Sequence, residues 1–220
     1  MSQTDWIPVI PSSLVNVSDV IQVFIKALDL VVWRSTQGRL QIWQNRCPHR
    51  SVRLSLGHVQ GENLVCAYHG WQFSAENSSC QIIPSQPLQR APSSICTTTY
   101  ACKEQNGMIW VNLNQVQTDT KIISSLEMTQ AYTFLGSVNI PLDRHTLHHI
   151  LLESGFTQVD TWQYQHHDQS WGNVTVFISP HQNSCSLYAI SSDATTHDLT
   201  YIKQLRQLRD HIMERETCSM

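Results

Sequence analysis

CPHRSVRLSLGHVQGENLVCAYHGW, residues 47–71, places a Cys and a His in each of two short segments. Written as a spacing it is C-x-H, sixteen residues, then C-x-x-H. A cluster of two irons and two sulfides needs four protein ligands in two pairs, one pair for each iron, and mixed Cys2His2 ligation puts both histidines on one iron. Two loops that each lend one thiolate and one imidazole meet that demand if they face each other. Zinc also accepts two cysteines and two histidines, but its finger spacing gathers the cysteines in one arm and the histidines in the other. Here each arm is mixed, so Cys47, His49, Cys66 and His69 are the candidate ligands of a [2Fe-2S] cluster. Four thiolates would leave the oxidised core doubly negative, whereas two thiolates and two neutral imidazoles leave it uncharged and easier to reduce.

Around this stretch, short apolar runs alternate with turn residues from residue 20 to 115, the pattern of antiparallel strands. LVVWR (30–34), LQIW (40–43), NLVCAY (63–68) and GMIWVNL (107–113) read as strands, with TQG (36–38) and QGEN (60–63) as hairpin turns. Residues 1–115 therefore read as an all-β domain, 116–130 as a polar linker, and 131–220 as a shorter α+β domain. In that second part Asp143 and Gly155 bracket a helix over 143–154, and WQYQ (162–165), NVTVFIS (173–179) and SLYAI (186–190) read as strands. Asp198 then caps a terminal helix whose Tyr201, Leu205, Leu208 and Ile212 recur at helical spacing.

The 220 residues, 41% of them hydrophobic, suffice for a buried core, and a net charge of -3 gives no general attraction to nucleic acid. The amino terminus lacks the basic start and apolar core of a secretory signal, and no run of apolar residues is long enough to span a membrane. A cytoplasmic chain is expected, with metal ligands or free thiols among its seven cysteines rather than a set of disulfides. Cys80, Cys96, Cys102, Cys185 and Cys218 follow no ligand spacing.

The segment from Cys47 to Phe73, with WRSTQGRLQIWQN before it and CQIIPS and GMIWVNL after it, resembles the Rieske domain of Rieske non-haem iron oxygenases, including the demethylase and pheophorbide-oxygenase-like branches. The resemblance implies antiparallel sheets with two cluster-binding loops, followed by what resembles a truncated oxygenase catalytic domain. It also implies a ferredoxin or flavin reductase as electron donor, and either a trimer of this chain or a partner oxygenase subunit. Rieske proteins of respiratory cytochrome complexes carry an extra cysteine in each loop; Val52 and Tyr68 stand there instead, which implies the low-potential, oxygenase-like type.

A full family member also holds a mononuclear Fe(II) on two histidines and a carboxylate. With residues 149–161 laid on the family's E-N-x-x-D-x-x-H-x-x-x-x-H pattern, Glu153 takes the acidic bridge position, but the two histidine positions fall on Phe156 and Thr161. Eight histidines lie beyond residue 140, at 145, 148, 149, 166, 167, 181, 197 and 211. His145, His149 and Glu153 share a helical face but span about 12 Å along it, too far for one ion, so only two neighbours with His166 or His167 could form a site. Two expectations stand: an oxygenase-like oxidoreductase, or a Rieske electron carrier or non-catalytic subunit without mononuclear iron.

Overall fold

The computed structural model describes residues 6–89, 91, 92, 94–117, 132–166, 171, 172, 174–192 and 200–217. Most of the 116–130 linker, and Asp198, His167, His197 and Cys218, lie outside these. The strands of the first half are β1 (Trp6–Pro11), β2 (Val20–Ile25), β3 (Leu28–Arg34), β4 (Leu40–Gln44), β5 (His58–Gln60), β6 (Asn63–Val65), β7 (Gln72–Ser74), β8 (Cys80–Ile82), β9 (Thr99–Gln105) and β10 (Met108–Gln117). The second half holds β11 (Thr133–Ile140), α1 (Arg144–Glu153), β12 (Phe156–Asp160), β13 (Gln163–His166), β14 (Val174–Pro180), β15 (Cys185–Ser191) and α2 (Thr200–Thr217). The described residues are mostly β with two α-helices, in three antiparallel sheets ordered β1-β10-β9-β4-β3-β2, β5-β6-β7-β8 and β11-β15-β14-β13-β12.

Strand β3 explains how these sheets stack. Successive side chains of a strand point to opposite faces, and every residue from Leu30 to Arg34 is buried. Leu30 and Val32, with Leu40 and Ile42 of β4, join a core that also holds Val176, Ile178 and Leu187 of the third sheet. Val31 and Trp33, with Trp43, join a second core with Leu54, Leu64, Phe73 and the two candidate cysteines Cys47 and Cys66. Trp33 and Trp43 meet edge to face at 4.8 Å, and the indole N–H of Trp43 donates to Gln41 at 3.0 Å. The six-stranded sheet is thus a middle layer covered on both sides.

The two halves also meet through hydrogen bonds. The Lys26 N–H donates to the Pro180 carbonyl at 2.8 Å, and the His181 ring lies 2.7 Å from the Phe24 carbonyl through Nδ1 and 2.8 Å from Ser186 Oγ through Nε2. A carbonyl only accepts, so Nδ1 donates to Phe24.

The strand read at 63–68 ends at Val65, because from Cys66 the chain turns into a loop. Helix α1 begins as expected: the Asp143 carboxylate accepts the His145 and Thr146 N–H groups, and Leu147 and Leu151 face the core. Strand β12, absent from the sequence reading, follows Gly155, whose φ of +87° a side chain rarely adopts. Helix α2 lies against β11, where Gly136 admits Ile202 and Leu205: a Cβ there would sit 3.2 and 3.5 Å from them.

Adjacent residues of β3 should report on different cores. Val31→Ala and Val32→Ala are each expected to cost about 2 kcal/mol in guanidinium unfolding, since each removes fully buried methyl groups. Hydrogen exchange should then quicken within residues 47–71 for the first and within 174–190 for the second. The same exchange pattern in both variants would contradict the two-core arrangement.

Candidate metal centre

Two loops with the same backbone build the site. In the first, the Cys47 N–H donates to the Val52 carbonyl at 2.8 Å and the Ser51 N–H to the Cys47 carbonyl at 2.8 Å. In the second, Cys66 donates to Trp71 at 2.9 Å and Gly70 to Cys66 at 3.0 Å, so the offsets are identical. Each loop turns through positive φ at its fifth residue, +59° at Ser51 and +69° at Gly70. The sequence hides this likeness because the histidine stands third in one loop and fourth in the other.

The first loop is braced from behind by side chains that sequence reading missed. Buried Asn45 donates to Asp29 at 2.8 Å and to Ser55 Oγ at 2.9 Å, and accepts the Ser55 N–H at 2.8 Å. Arg53 donates to the other Asp29 oxygen at 3.0 Å. The stem residues on either side of the loop are so tied to one carboxylate. The only sequence signal was an isolated Asn and Asp within apolar runs, which does not reveal that they converge.

Cys47 and Cys66 are 2% and 3% exposed and lie together in the second core. Burial pushes the Cys47 thiol up to about 11, and proximity to Cys66 adds to this, while backbone N–H groups of His49 and Arg50 act against it. The imidazoles lie on the outer side. His49 is half-buried and His69 exposed, with ring centroids 4.7 Å apart. The Trp71 indole stacks on His49 at 4.2 Å with planes 5° apart, and Tyr68 lies 3.8 Å from His69. Desolvation, then the His69 and Arg50 charges, holds His49 below the usual histidine range and favours the neutral ring that binds metals.

Thiols paired inside and imidazoles paired outside fit a two-iron cluster, with one pair for each iron. A zinc ion would require all four groups to converge on one point. Among the described residues no three His, Cys, Asp or Glu side chains do so.

The histidines of the second half have other neighbours. His145 and His149 face each other on α1 with Nε2 atoms 3.4 Å apart, His148 Nδ1 lies 2.7 Å from the Tyr164 hydroxyl, and His166 Nε2 lies 3.0 Å from the Ser154 carbonyl. Glu153 pairs with Arg215 of α2 at 2.5 Å. Phe156 is buried edge-on to His166 at 4.7 Å, and the Thr161 N–H donates to Asp160. His166 and His211 line a cleft of about 330 Å³ between β12, β13 and α2, together with Phe156, Trp171 and Gln204.

Residues 5–97 match the model of the Rieske [2Fe-2S] domain. Oxidoreductase NdmD of Pseudomonas putida is 30% identical over 140 residues, 63% of this chain and 24% of that protein. The 3-chlorobenzoate-3,4-dioxygenase oxygenase subunit of Comamonas testosteroni is 33% identical over 107 residues, 48% of this chain and 25% of that protein. This chain spans a quarter or less of these relatives. The solved structure of Pseudomonas putida CBB5 NdmA superposes with a TM-score of 0.67 at 17% identity, over 94% of this chain and 78% of the other, which establishes likeness of fold.

Substitution separates ligand from bystander. His69→Ala is expected to abolish the Rieske absorption and electron paramagnetic resonance signals, because one iron loses half its protein ligands. His58→Ala, exposed on β5, is expected to keep both. An unchanged spectrum for His69→Ala would refute the ligand set.

Proposed function

We propose, for a chain whose residues 5–97 are a Rieske [2Fe-2S] domain, that Cys47 and Cys66 hold one iron of the cluster, that His49 and His69 hold the other, and that the chain transfers single electrons within an oxygenase-like system. The observation that carries this is the sorting of the four side chains, thiols inside and imidazoles outside, on two loops of one backbone shape. When bound, the cluster supplies a centre that accepts and gives one electron at a time.

The protein's contribution is positioning and exclusion. The second core keeps water from the two sulfurs, and its low polarity favours a centre of small net charge. Trp71 fixes the plane of the His49 ring, and the exposed His69 gives the shortest way between the site and a partner at the surface. The electron donor in this reading is a ferredoxin or flavin reductase, and residues 131–220 are an abbreviated oxygenase-like domain following the Rieske domain of 1–115. Its relatives support that setting, since they include a dioxygenase oxygenase subunit and a 4beta-methylsterol monooxygenase. Among the described residues no helix is long and apolar enough to cross a membrane.

A second reading, an electron carrier or non-catalytic subunit, is favoured by one observation. Glu153, placed by sequence where the family bridges cluster and mononuclear iron, is taken up by Arg215. Phe156 and Thr161, at the family's histidine positions, offer no imidazole.

Iron and sulfide analysis of the purified chain, with oxygen uptake measured under an electron donor, separates the readings. Two irons and two acid-labile sulfides per chain are expected from the cluster alone. A third iron together with oxygen uptake would select the self-contained oxygenase. A protein lacking the cluster after anaerobic reconstitution would defeat both.

A further inference from the structure

Three histidines stand in the run HTLHH of α1, at 145, 148 and 149, and the cluster loops use none of them. They divide by face. His148 turns inward, its Nδ1 2.7 Å from the hydroxyl of the fully buried Tyr164. His145 and His149 are both exposed, with ring centroids 4.6 Å apart, planes at 65° and Nε2 atoms 3.4 Å from each other. Residues i and i+4 of a helix project one above the other, so the spacing itself brings the two rings together.

A separation of 3.4 Å is longer than a good hydrogen bond from an N–H group, whose heavy atoms sit about 2.7–3.2 Å apart. It matches two nitrogens bound to one tetrahedral ion: metal–nitrogen bonds of about 2.0–2.1 Å set such ligand atoms about 3.4 Å apart. Two imidazoles four residues apart on one helical face are also the arrangement by which zinc is held in metalloproteases. Imidazole donors select zinc, nickel and copper over magnesium or calcium. Arg144, the neighbouring cation, is drawn away, its guanidinium over Trp162 at 4.4 Å and donating to the Thr161 carbonyl at 2.8 Å. The positive end of the helix dipole opposes a cation in the first turn, and the Asp143 carboxylate, which accepts the His145 N–H at 2.7 Å, offsets it there.

We propose that His145 and His149 chelate one divalent late transition ion, zinc in the first place, on the exposed face of α1, with water in the remaining coordination positions. Each ring binds through Nε2 in its neutral form, and the proton lying between the two nitrogens leaves as the ion enters. The site is not the family's mononuclear iron site, whose histidine positions fall on Phe156 and Thr161. It has a shorter histidine spacing and no carboxylate ligand, since Glu153, farther along α1, pairs with Arg215.

Zinc chloride titrated by calorimetry into the cluster-loaded chain, with the visible absorption of the cluster followed throughout, tests this. One ion per chain should bind while the absorption stays unchanged. His145→Gln and His149→Gln should each weaken binding about a hundredfold, because one-point attachment loses the effective concentration of the second imidazole, and the double variant should go little further. His58→Ala, an exposed histidine on β5, should keep the parent affinity. Copper(II) on the parent should give an electron paramagnetic resonance spectrum split by two nitrogens, and by one in either single variant, a signature that a merely weakened helix would not produce. Parent affinity in either single variant, or zinc uptake accompanied by bleaching of the cluster, would overturn the proposal. So would a zinc-dependent dimer in sedimentation that the double variant abolishes, which would assign the ion to two chains. A colourless parent protein counts against the cluster reading alone, and the zinc held on α1 is then the amount that the double variant removes.

Discussion

In the ligation proposed for Cys47, His49, Cys66 and His69, two sulfurs are kept from water while two imidazoles, only a few residues away on the same loops, lie toward it. Much of the first half of the molecule can be understood from that requirement. A thiol that is buried needs apolar neighbours; Leu64 and Phe73 provide them from the small sheet, Leu54 from the turn that precedes it, and Val31, Trp33 and Trp43 from the large sheet. An imidazole held at a surface needs an ordered ring plane, and Trp71 gives it to His49 across the gap between the loops. Backbone N–H groups of His49 and Arg50 turned toward the Cys47 sulfur ease the thiolate charge that cluster assembly demands.

Much of this was legible before any coordinates. The spacing of Cys47, His49, Cys66 and His69 depends only on the order of residues along the chain, so sequence alone carries the proposed ligand set. Strands such as LVVWR and helix α1 with its Asp143 cap were equally plain, because apolar alternation and a cap are local signals. What remained hidden depended on distant partners. The brace of Asp29, Asn45, Ser55 and Arg53 joins residues up to 26 positions apart, and no local pattern announces it. Strand β12 has one buried residue, Phe156, followed by three exposed ones in a row, and so lacks the alternation by which strands are found. NLVCAY looked like one strand because its apolar run continues past Val65, yet the ladder gives way to loop hydrogen bonds at Cys66.

The second half has the outline of a larger fold with different contents. The chain shares its fold with the solved NdmA structure over 94% of its length, and in its second half the side chains around α1 engage one another. Glu153 reaches across to Arg215, His148 lies beside Tyr164, and His166 sits between Phe156 and Trp171.

The alternation along β3 has a consequence for modularity. Because Leu30 and Val32 belong to one interior and Val31 and Trp33 to the other, the amino-terminal half cannot be cut away as an independent piece without baring a broad greasy wall that includes Ile42, Ile109 and Val111. A fragment ending near the linker would be prone to stick to itself. The carboxy-terminal sheet therefore serves as the lining that lets the iron-binding half exist in water at all, whatever further chemistry it hosts.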